Sequence, residues 1–140
     1  YMGPLGSGYA AKLINNLIVG GEITLIAEAF GLARRAGVDL TRLMEALSGG
    51  AAASPVLTMK GGKMISGDYT ASSRVLIHLK DQHNAQEMAR ALGADIPACD
   101  LSTLLLEKLA DMGRGNEDVA AVIDLFQSKV DLRRLWNGNL

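Results

Sequence analysis

The sequence has little cysteine and no excess of either charge. Cys99 is the only cysteine, which excludes an internal disulfide and favours a reducing compartment, so we expect the cytoplasm. The 14 basic and 15 acidic side chains give a formal net charge of -1, and no summed positive field is left to hold a polyanion. Nucleic acid is therefore not an expected partner.

The sequence also lacks an uninterrupted apolar run and any β-strand pattern. Leu13 to Ala33 is about as long as a membrane span, but it includes Asn15, Asn16 and two glutamates, which favours a buried helix over a membrane partner. No run combines β-branched alternation with hairpin turns. Together these absences predict an all-α protein.

What is present is the composition of one globular domain. Hydrophobic residues make up 49% of the 140 residues and charged residues 21%, an ordinary balance for a chain that folds. We expect an all-helical domain over residues 1–130 and a tail over residues 131–140. The chain begins with Tyr1 before Met2, which we interpret as the start of a fragment.

Capping residues, glycines and prolines divide the chain into six predicted helices. They are Tyr9 to Ala36, Asp39 to Ser48, Ser54 to Gly61-Gly62, Arg74 to Leu92, Pro97 to Met112, and Asn116 to about Lys129. The fourth helix is predicted from residues that fall roughly on one stripe at helical spacing: Val75, Leu76, Leu79, His83, Met88 and Leu92.

The first predicted helix is apolar on nearly every side, so we expect it to lie in the middle of the domain. Gly20, Gly21 and Gly31 interrupt it. Each glycine costs about 1 kcal/mol relative to alanine in a helix. We therefore expect these glycines to permit close approach of other helices.

The opening of that helix carries the residues best suited to chemistry. A glycine-rich segment, Gly3 to Gly8, precedes Lys12 and the pair Asn15-Asn16. Lys12 and Asn16 are four residues apart and share a helical face, and the first amides of a helix favour anions such as a carboxylate. From the residues alone we favour a flexible segment followed by a lysine that extends to water.

This opening resembles the signature at the start of the second domain of β-hydroxyacid dehydrogenases. The resemblance covers residues 2–126 and implies that Lys12 is the catalytic acid/base. It also implies that Asn16 and Gly8 contact the substrate. The fold it implies is a multi-helix domain around a long central helix, similar to the C-terminal domain of 6-phosphogluconate dehydrogenase-like proteins.

A second match lies at His78-Leu79-Lys80-Asp81, which is similar to a lysine-aspartate pair of that family. The resemblance implies that Lys80 reaches the nicotinamide cofactor. The family commonly has an aromatic residue at the position of Ser73 and a leucine at that of Gln82. From the residues alone we favour a solvated Lys80 paired with Asp81 or Asn84.

The function implied by the resemblance is NAD- or NADP-dependent interconversion of a small 3-hydroxy acid and its semialdehyde. As a base Lys12 must be neutral, and we expect the apolar helix around it to favour the neutral amine by desolvation. The sequence shows no dinucleotide-binding fingerprint. We therefore expect the cofactor to be held mainly by an N-terminal Rossmann domain absent from this chain, and the fragment alone to be inactive.

Two other functions stay open. The chain could be a helical dimerisation or interaction module without an active site, because an all-round apolar helix needs partners; family members do form homo-oligomers through this domain. An imine or 6-phosphogluconate type of reductase is the third candidate. We expect no metal site, because His78 and His83 lack clustered carboxylates, and we assign Cys99 no role.

Overall fold

The computed structural model describes residues 1–127, which form six α-helices and a 3₁₀ turn. The helices are α1 Ser7–Arg35, α2 Leu40–Ser48, α3 Pro55–Ser66, α4 Val75–Leu92, α5 Pro97–Asp111 and α6 Ile123–Gln127, with the 3₁₀ turn at Val119–Val122. Within residues 1–127 the only β pairing is one isolated bridge between Arg74 and Asp118. The all-α prediction is confirmed. The predicted tail over residues 131–140 and the predicted helix end at Lys129 lie outside the described residues.

Helix α1 is the central helix, and α3, α4, α5 and α6 all pack against it. Its buried face consists of Leu13, Gly20, Ile23, Thr24, Ala27, Phe30, Gly31 and Ala33. The opposite face exposes an apolar stripe, formed by Ile14, Ile18, Leu25 and Leu32. The predicted central position is therefore correct for one side of the helix, while the other side is uncovered in the described chain. By length and composition α1 could also cross a membrane, a test that core helices of soluble proteins pass too.

Two of the three glycines in α1 permit close packing, as predicted. A Cβ at Gly20 would stand 2.2 Å from Nε2 of Gln82, and one at Gly31 would stand 2.7 Å from Cβ of Phe126. Gly21 faces open space, with nothing within 4 Å of such a Cβ. The prediction for Gly21 is therefore wrong, because no neighbouring helix comes within reach of a side chain at this position.

The predicted starts of α2 and α3 are confirmed by their caps. The Asp39 side chain accepts a hydrogen bond from the Arg42 amide, and the Ser54 hydroxyl accepts one from the Leu57 amide. Helix α3, however, continues through Gly61 and ends at Ser66, where Gly67 takes a left-handed φ of 71°. Met44 Sδ would lie 3.2 Å from a Cβ at Gly61, so Gly61 leaves room for α2 instead of ending the helix.

Helix α4 ends at Leu92 before a left-handed Gly93, as predicted. Half of its apolar stripe meets the core: Val75 is buried, and Leu79 and Met88 are partly buried against core residues. The residues fully buried are Val75, Gln82, Ala85 and Ala89, whereas Leu76, His83 and Leu92 are exposed. Helices α1 and α5 both pack against α4. Gln82 and the small side chains Ala85 and Ala89 therefore occupy much of this contact.

The last helix begins later than predicted because Asp118 acts as a cap. Its carboxylate accepts a hydrogen bond from the Ala120 amide at the start of the 3₁₀ turn, so the predicted cap Asn116 lies in the preceding turn. The same carboxylate binds Lys60 Nζ at 2.9 and 3.0 Å. It also accepts hydrogen bonds from the hydroxyl and amide of Ser72 and the amide of Ser73.

We call Asp118, Lys60 and Ser72 the Asp118 cluster. Burial opposes ionisation of Asp118, but the hydrogen bonds from Lys60, Ser72 and Ala120 outweigh it and hold the pKa of this carboxyl far below its usual value. The cluster joins α3, the 3₁₀ turn and the segment that leads into α4. It therefore fixes the start of the helix that carries His78, Lys80 and Asp81.

Candidate active site

The candidate site lies where the first turns of α1 face the middle of α4. Gly8, Lys12 and Asn16 recur every four residues and thus follow one side of α1. Asp81 on α4 lies opposite them: Lys12 Nζ is 3.6 Å from Asp81 Oδ1, and Asn16 Nδ2 donates to Asp81 Oδ2 at 2.8 Å. The structure thus brings Lys12 and Asn16 together, as their spacing predicts.

Asp81 is the residue of the candidate site that the sequence reasoning missed. From the sequence it is expected only as a partner for Lys80, its neighbour in the chain. Successive residues on a helix point about 100° apart, so Lys80 and Asp81 face different ways. Finding Asp81 requires knowing how α4 packs on α1, because that packing joins positions 65 residues apart. Helical periodicity within one helix does not give this information.

The Asn16 amide is oriented from two sides. Its Nδ2 donates to Asp81, and its Oδ1 accepts a hydrogen bond from Asn15 Nδ2 at 3.3 Å. Asn15 is exposed. The Asn16 side chain is therefore held in one orientation against α4, which is the condition for an amide that positions a ligand.

Lys12 is not desolvated by the described chain. Its side chain is 61% exposed, and its neighbour Asp81 carries a negative charge. The expectation that the apolar helix would favour the neutral amine by desolvation is therefore wrong for this chain. The reason is that Lys12 lies near the start of α1, where the described helices leave its side chain largely open to solvent.

Gly8 lies in the first turn of α1, after a left-handed Gly6 with φ 94°. The helix start has no side-chain cap, and within residues 1–127 the Gly8 amide has no hydrogen-bond partner. Free amides at a helix start are donors suited to an anionic oxygen. Gly8 precedes Lys12 by one turn on the same side of the helix.

Lys80 is exposed on α4, and the described residues form no ion pair with it. The pairing with Asp81 or Asn84 that the sequence left open is not observed, because Asp81 binds Lys12 and Asn16 instead. Its amine is therefore available to a ligand that approaches the same part of α4. The structure does not join Lys80 directly to Lys12.

Gln82 lies beneath the site and ties three helices together. It is fully buried, donates from Nε2 to the Ser102 hydroxyl at 2.8 Å, and accepts from the Thr103 hydroxyl at 3.1 Å. The Thr24 hydroxyl donates to Ser102 at 2.9 Å. Gln82 follows Asp81 directly, so this network of α1, α4 and α5 fixes the register that places Asp81 opposite Lys12.

The two histidines lie in different surroundings. His83 is exposed and its Nε2 lies 3.0 Å from a Glu107 oxygen. His78 is partly buried, and burial and then Lys60 lower its pKa. Among residues 1–127, no three His, Cys, Asp or Glu side chains come together as a metal site would require. Cys99 is buried, and burial raises the pKa of its thiol.

Comparison with known proteins assigns the chain to a family. A sequence model described as "NAD-binding of NADP-dependent 3-hydroxyisobutyrate dehydrogenase" matches residues 6–126. This match covers most of the chain. The chain belongs to the β-hydroxyacid dehydrogenase family.

Individual proteins similar to this chain support the assignment to the β-hydroxyacid dehydrogenase family. It is 30% identical over 126 residues to 2-hydroxy-3-oxopropionate reductase of Escherichia coli, covering 90% of this chain and 43% of that protein. It is 32% identical over 121 residues to L-threonate dehydrogenase of Escherichia coli, covering 86% of this chain and 40% of that one. The crystal structure of 3-hydroxyisobutyrate dehydrogenase from Salmonella typhimurium superposes with a TM-score of 0.83 at 32% identity, covering 86% and 42%.

The chain spans less than half the length of these relatives. The segment shared with the β-hydroxyacid dehydrogenase family includes Gly8, Lys12, Asn16, Lys80 and Asp81. The candidate site therefore lies wholly within the part of the chain that the family shares.

Proposed function

We propose that this chain is the C-terminal, substrate-side domain of an NAD- or NADP-dependent oxidoreductase. The reaction is the interconversion of a small 3-hydroxy acid and its semialdehyde. The observation that carries the proposal is the meeting of Lys12, Asn16 and Asp81 between α1 and α4. The likeness of the domain to that of 6-phosphogluconate dehydrogenase-like proteins, and a cytoplasmic location, stay predictions.

Lys12 Nζ is the acid/base in this proposal. In the oxidative direction the neutral amine accepts the hydroxyl proton of the substrate, and in the reductive direction the ammonium returns it to the forming hydroxyl. Asp81 holds the Lys12 amine and the Asn16 amide on one side of α1. Asn16 then orients the substrate, and the free amide of Gly8 is a donor for its carboxylate.

The residues present fit one edge of a nicotinamide site. The Lys80 amine is exposed and unpaired within the described chain, next in sequence to the aspartate that binds Lys12. The family model over residues 6–126 is itself described as NAD-binding. When bound, the nicotinamide supplies hydride transfer. We propose that Lys80 binds the cofactor and that most other contacts come from an N-terminal Rossmann domain.

Exposure of Lys12 supports a two-domain enzyme. A lysine base needs a dry site, and 61% of the Lys12 side chain is open to solvent. A second domain over the start of α1 would exclude that water. We therefore expect the 140-residue chain alone to show no turnover.

The test is the activity of the full gene product and of its Lys12→Ala variant. Loss of a general acid/base lowers kcat by about 100- to 10,000-fold. Lys108→Ala, on the far helix α5, is the matched control and should keep its rate. Turnover by the 140-residue chain alone would contradict the two-domain proposal, and full activity of Lys12→Ala would contradict the role of the lysine.

The second candidate function is association through α1. Its exposed stripe has the spacing of a helix–helix contact, with Ile18, Leu25 and Leu32 each seven residues apart. We propose that the protein forms a homo-oligomer through this stripe. Leu25→Glu should then shift the sedimentation coefficient to that of a smaller species, whereas Lys12→Ala should leave it unchanged.

A further inference from the structure

The mechanism proposed above gives no role to His78 and Ser73, yet both lie close to the candidate site. His78 precedes Asp81 by three residues on α4, so the two side chains share one side of the helix. The Asp81 charge acts on the His78 ring, as does that of Lys60 from the Asp118 cluster. The imidazole therefore lies between the Asp118 cluster and the aspartate that binds Lys12.

Ser73 fixes one nitrogen of the ring and leaves the other free. The Ser73 hydroxyl is 2.7 Å from His78 Nε2, and the Ser73 amide is itself held by Asp118. Nδ1 has no hydrogen-bond partner among residues 1–127, and no buried side-chain nitrogen or oxygen there lacks one. Nδ1 is therefore accessible from outside the protein while the ring is anchored from within.

The ring is a neutral hydrogen-bonding group at ordinary pH. Its burial first, and then the positive charge of Lys60, lower the pKa of His78 more than Asp81 and Asp118 raise it. Neutral imidazole presents one donor or one acceptor at the free nitrogen, according to the tautomer. Such a group suits a hydroxyl, which can donate or accept.

We infer that His78, anchored by Ser73, contacts the substrate and selects hydroxy acids that carry a second hydroxyl over those with an alkyl group at that position. This inference rests on the proposed function. A hydroxyl replaces the water that Nδ1 loses when the substrate binds. A methyl group leaves the nitrogen without a partner, which costs affinity.

The experiment compares two substrates that differ in one group. Glycerate and 3-hydroxyisobutyrate share the 3-hydroxyl and the carboxylate, but carry a hydroxyl and a methyl group, respectively, at C2. We would measure kcat/KM for both with the full gene product, with His78→Leu and with His78→Gln. His83→Leu is the control, because it removes the other histidine of α4, which faces Glu107.

In His78→Leu we expect the glycerate to 3-hydroxyisobutyrate ratio of kcat/KM to fall about tenfold, the worth of one hydrogen bond. His78→Gln should restore part of the ratio, and Ser73→Ala should lower it less than His78→Leu does. His83→Leu should not change it. Equal loss for both substrates would show a merely structural role and overturn the inference, while the proposed function would stand.

Failure of the proposed function gives a different result. If the unaltered protein turned over neither substrate nor any other small 3-hydroxy acid, both proposals would be overturned together. If the unaltered protein is active and Lys12→Ala is not, the function stands and the ratio alone decides the role of His78.

Discussion

The Asp118 cluster makes the most direct prediction about stability. Asp118→Asn removes the charge that neutralises Lys60, whose side chain is only 8% exposed. Breaking a buried ion pair on one side costs about 3–5 kcal/mol, because the other charge stays buried without a partner. The asparagine amide also brings two donors to a position where Lys60, Ser72, Ser73 and Ala120 already donate.

This loss is large against the whole stability of a domain, which is about 5–15 kcal/mol. Urea unfolding of the 140-residue chain, followed by helical circular dichroism, gives the change in free energy of unfolding by linear extrapolation. Glu107→Gln is the matched control, because it also removes one carboxylate of a pair, here the half-exposed His83–Glu107 contact. Exposed pairs contribute about 1 kcal/mol or less.

The test is the difference between the two variants in the free energy of unfolding that each loses. We expect Asp118→Asn to lose at least about 3 kcal/mol and Glu107→Gln less than 1 kcal/mol. If the two losses were equal within error, the Asp118 carboxylate would not be a structural centre of this fold. A double variant, Lys60→Met with Asp118→Leu, should recover part of the loss because no buried charge remains.

Three further predictions follow from other contacts. Gly20→Ala places a Cβ 2.2 Å from Gln82 Nε2 and should lose at least about 1–3 kcal/mol of unfolding free energy, whereas Gly21→Ala meets open space and should gain up to about 1 kcal/mol. Because the pKa of Asp118 is lowered in the folded state, its ionised carboxylate stabilises the fold above about pH 4, and this stabilisation is lost as the pH falls further. Acid titration should therefore destabilise the unaltered chain more than the Asp118→Asn variant. In the full gene product, Asp81→Asn should lower kcat by at least about tenfold, as seen in steady-state kinetics, because Lys12 loses its anchor.

Local signals in the sequence predicted most of the helices. Asp39 and Ser54 cap α2 and α3, and Gly93 ends α4 in a left-handed conformation. Each signal acts within one helical turn, through a side chain that accepts a backbone hydrogen bond or a residue without a Cβ. The spacing of Lys12 and Asn16 is local in the same sense, and it correctly placed both on one side of α1.

Errors arose where distant residues decide the outcome. Gly61 reads as a helix end, but in the fold it makes room for Met44 of α2. Leu76 and Leu92 belong to the apolar stripe of α4, yet both are exposed, and α4 presents the buried Gln82 to Gly20. Asp81 was missed for the same reason. Its contact with Asn16 depends on the register between α1 and α4, and helical periodicity does not define that register.

Helix α1 separates the two functions proposed for this chain. At about 100° per residue, Lys12 and Asn16 lie beside the buried face that meets α4, whereas Leu25 and Leu32 lie almost half a turn away on the exposed stripe. A second copy bound to the stripe would therefore leave the Lys12 site open. In these two proposals catalysis and association are therefore not alternatives: each uses its own side of α1, and a substitution on one side should leave the other proposed function intact.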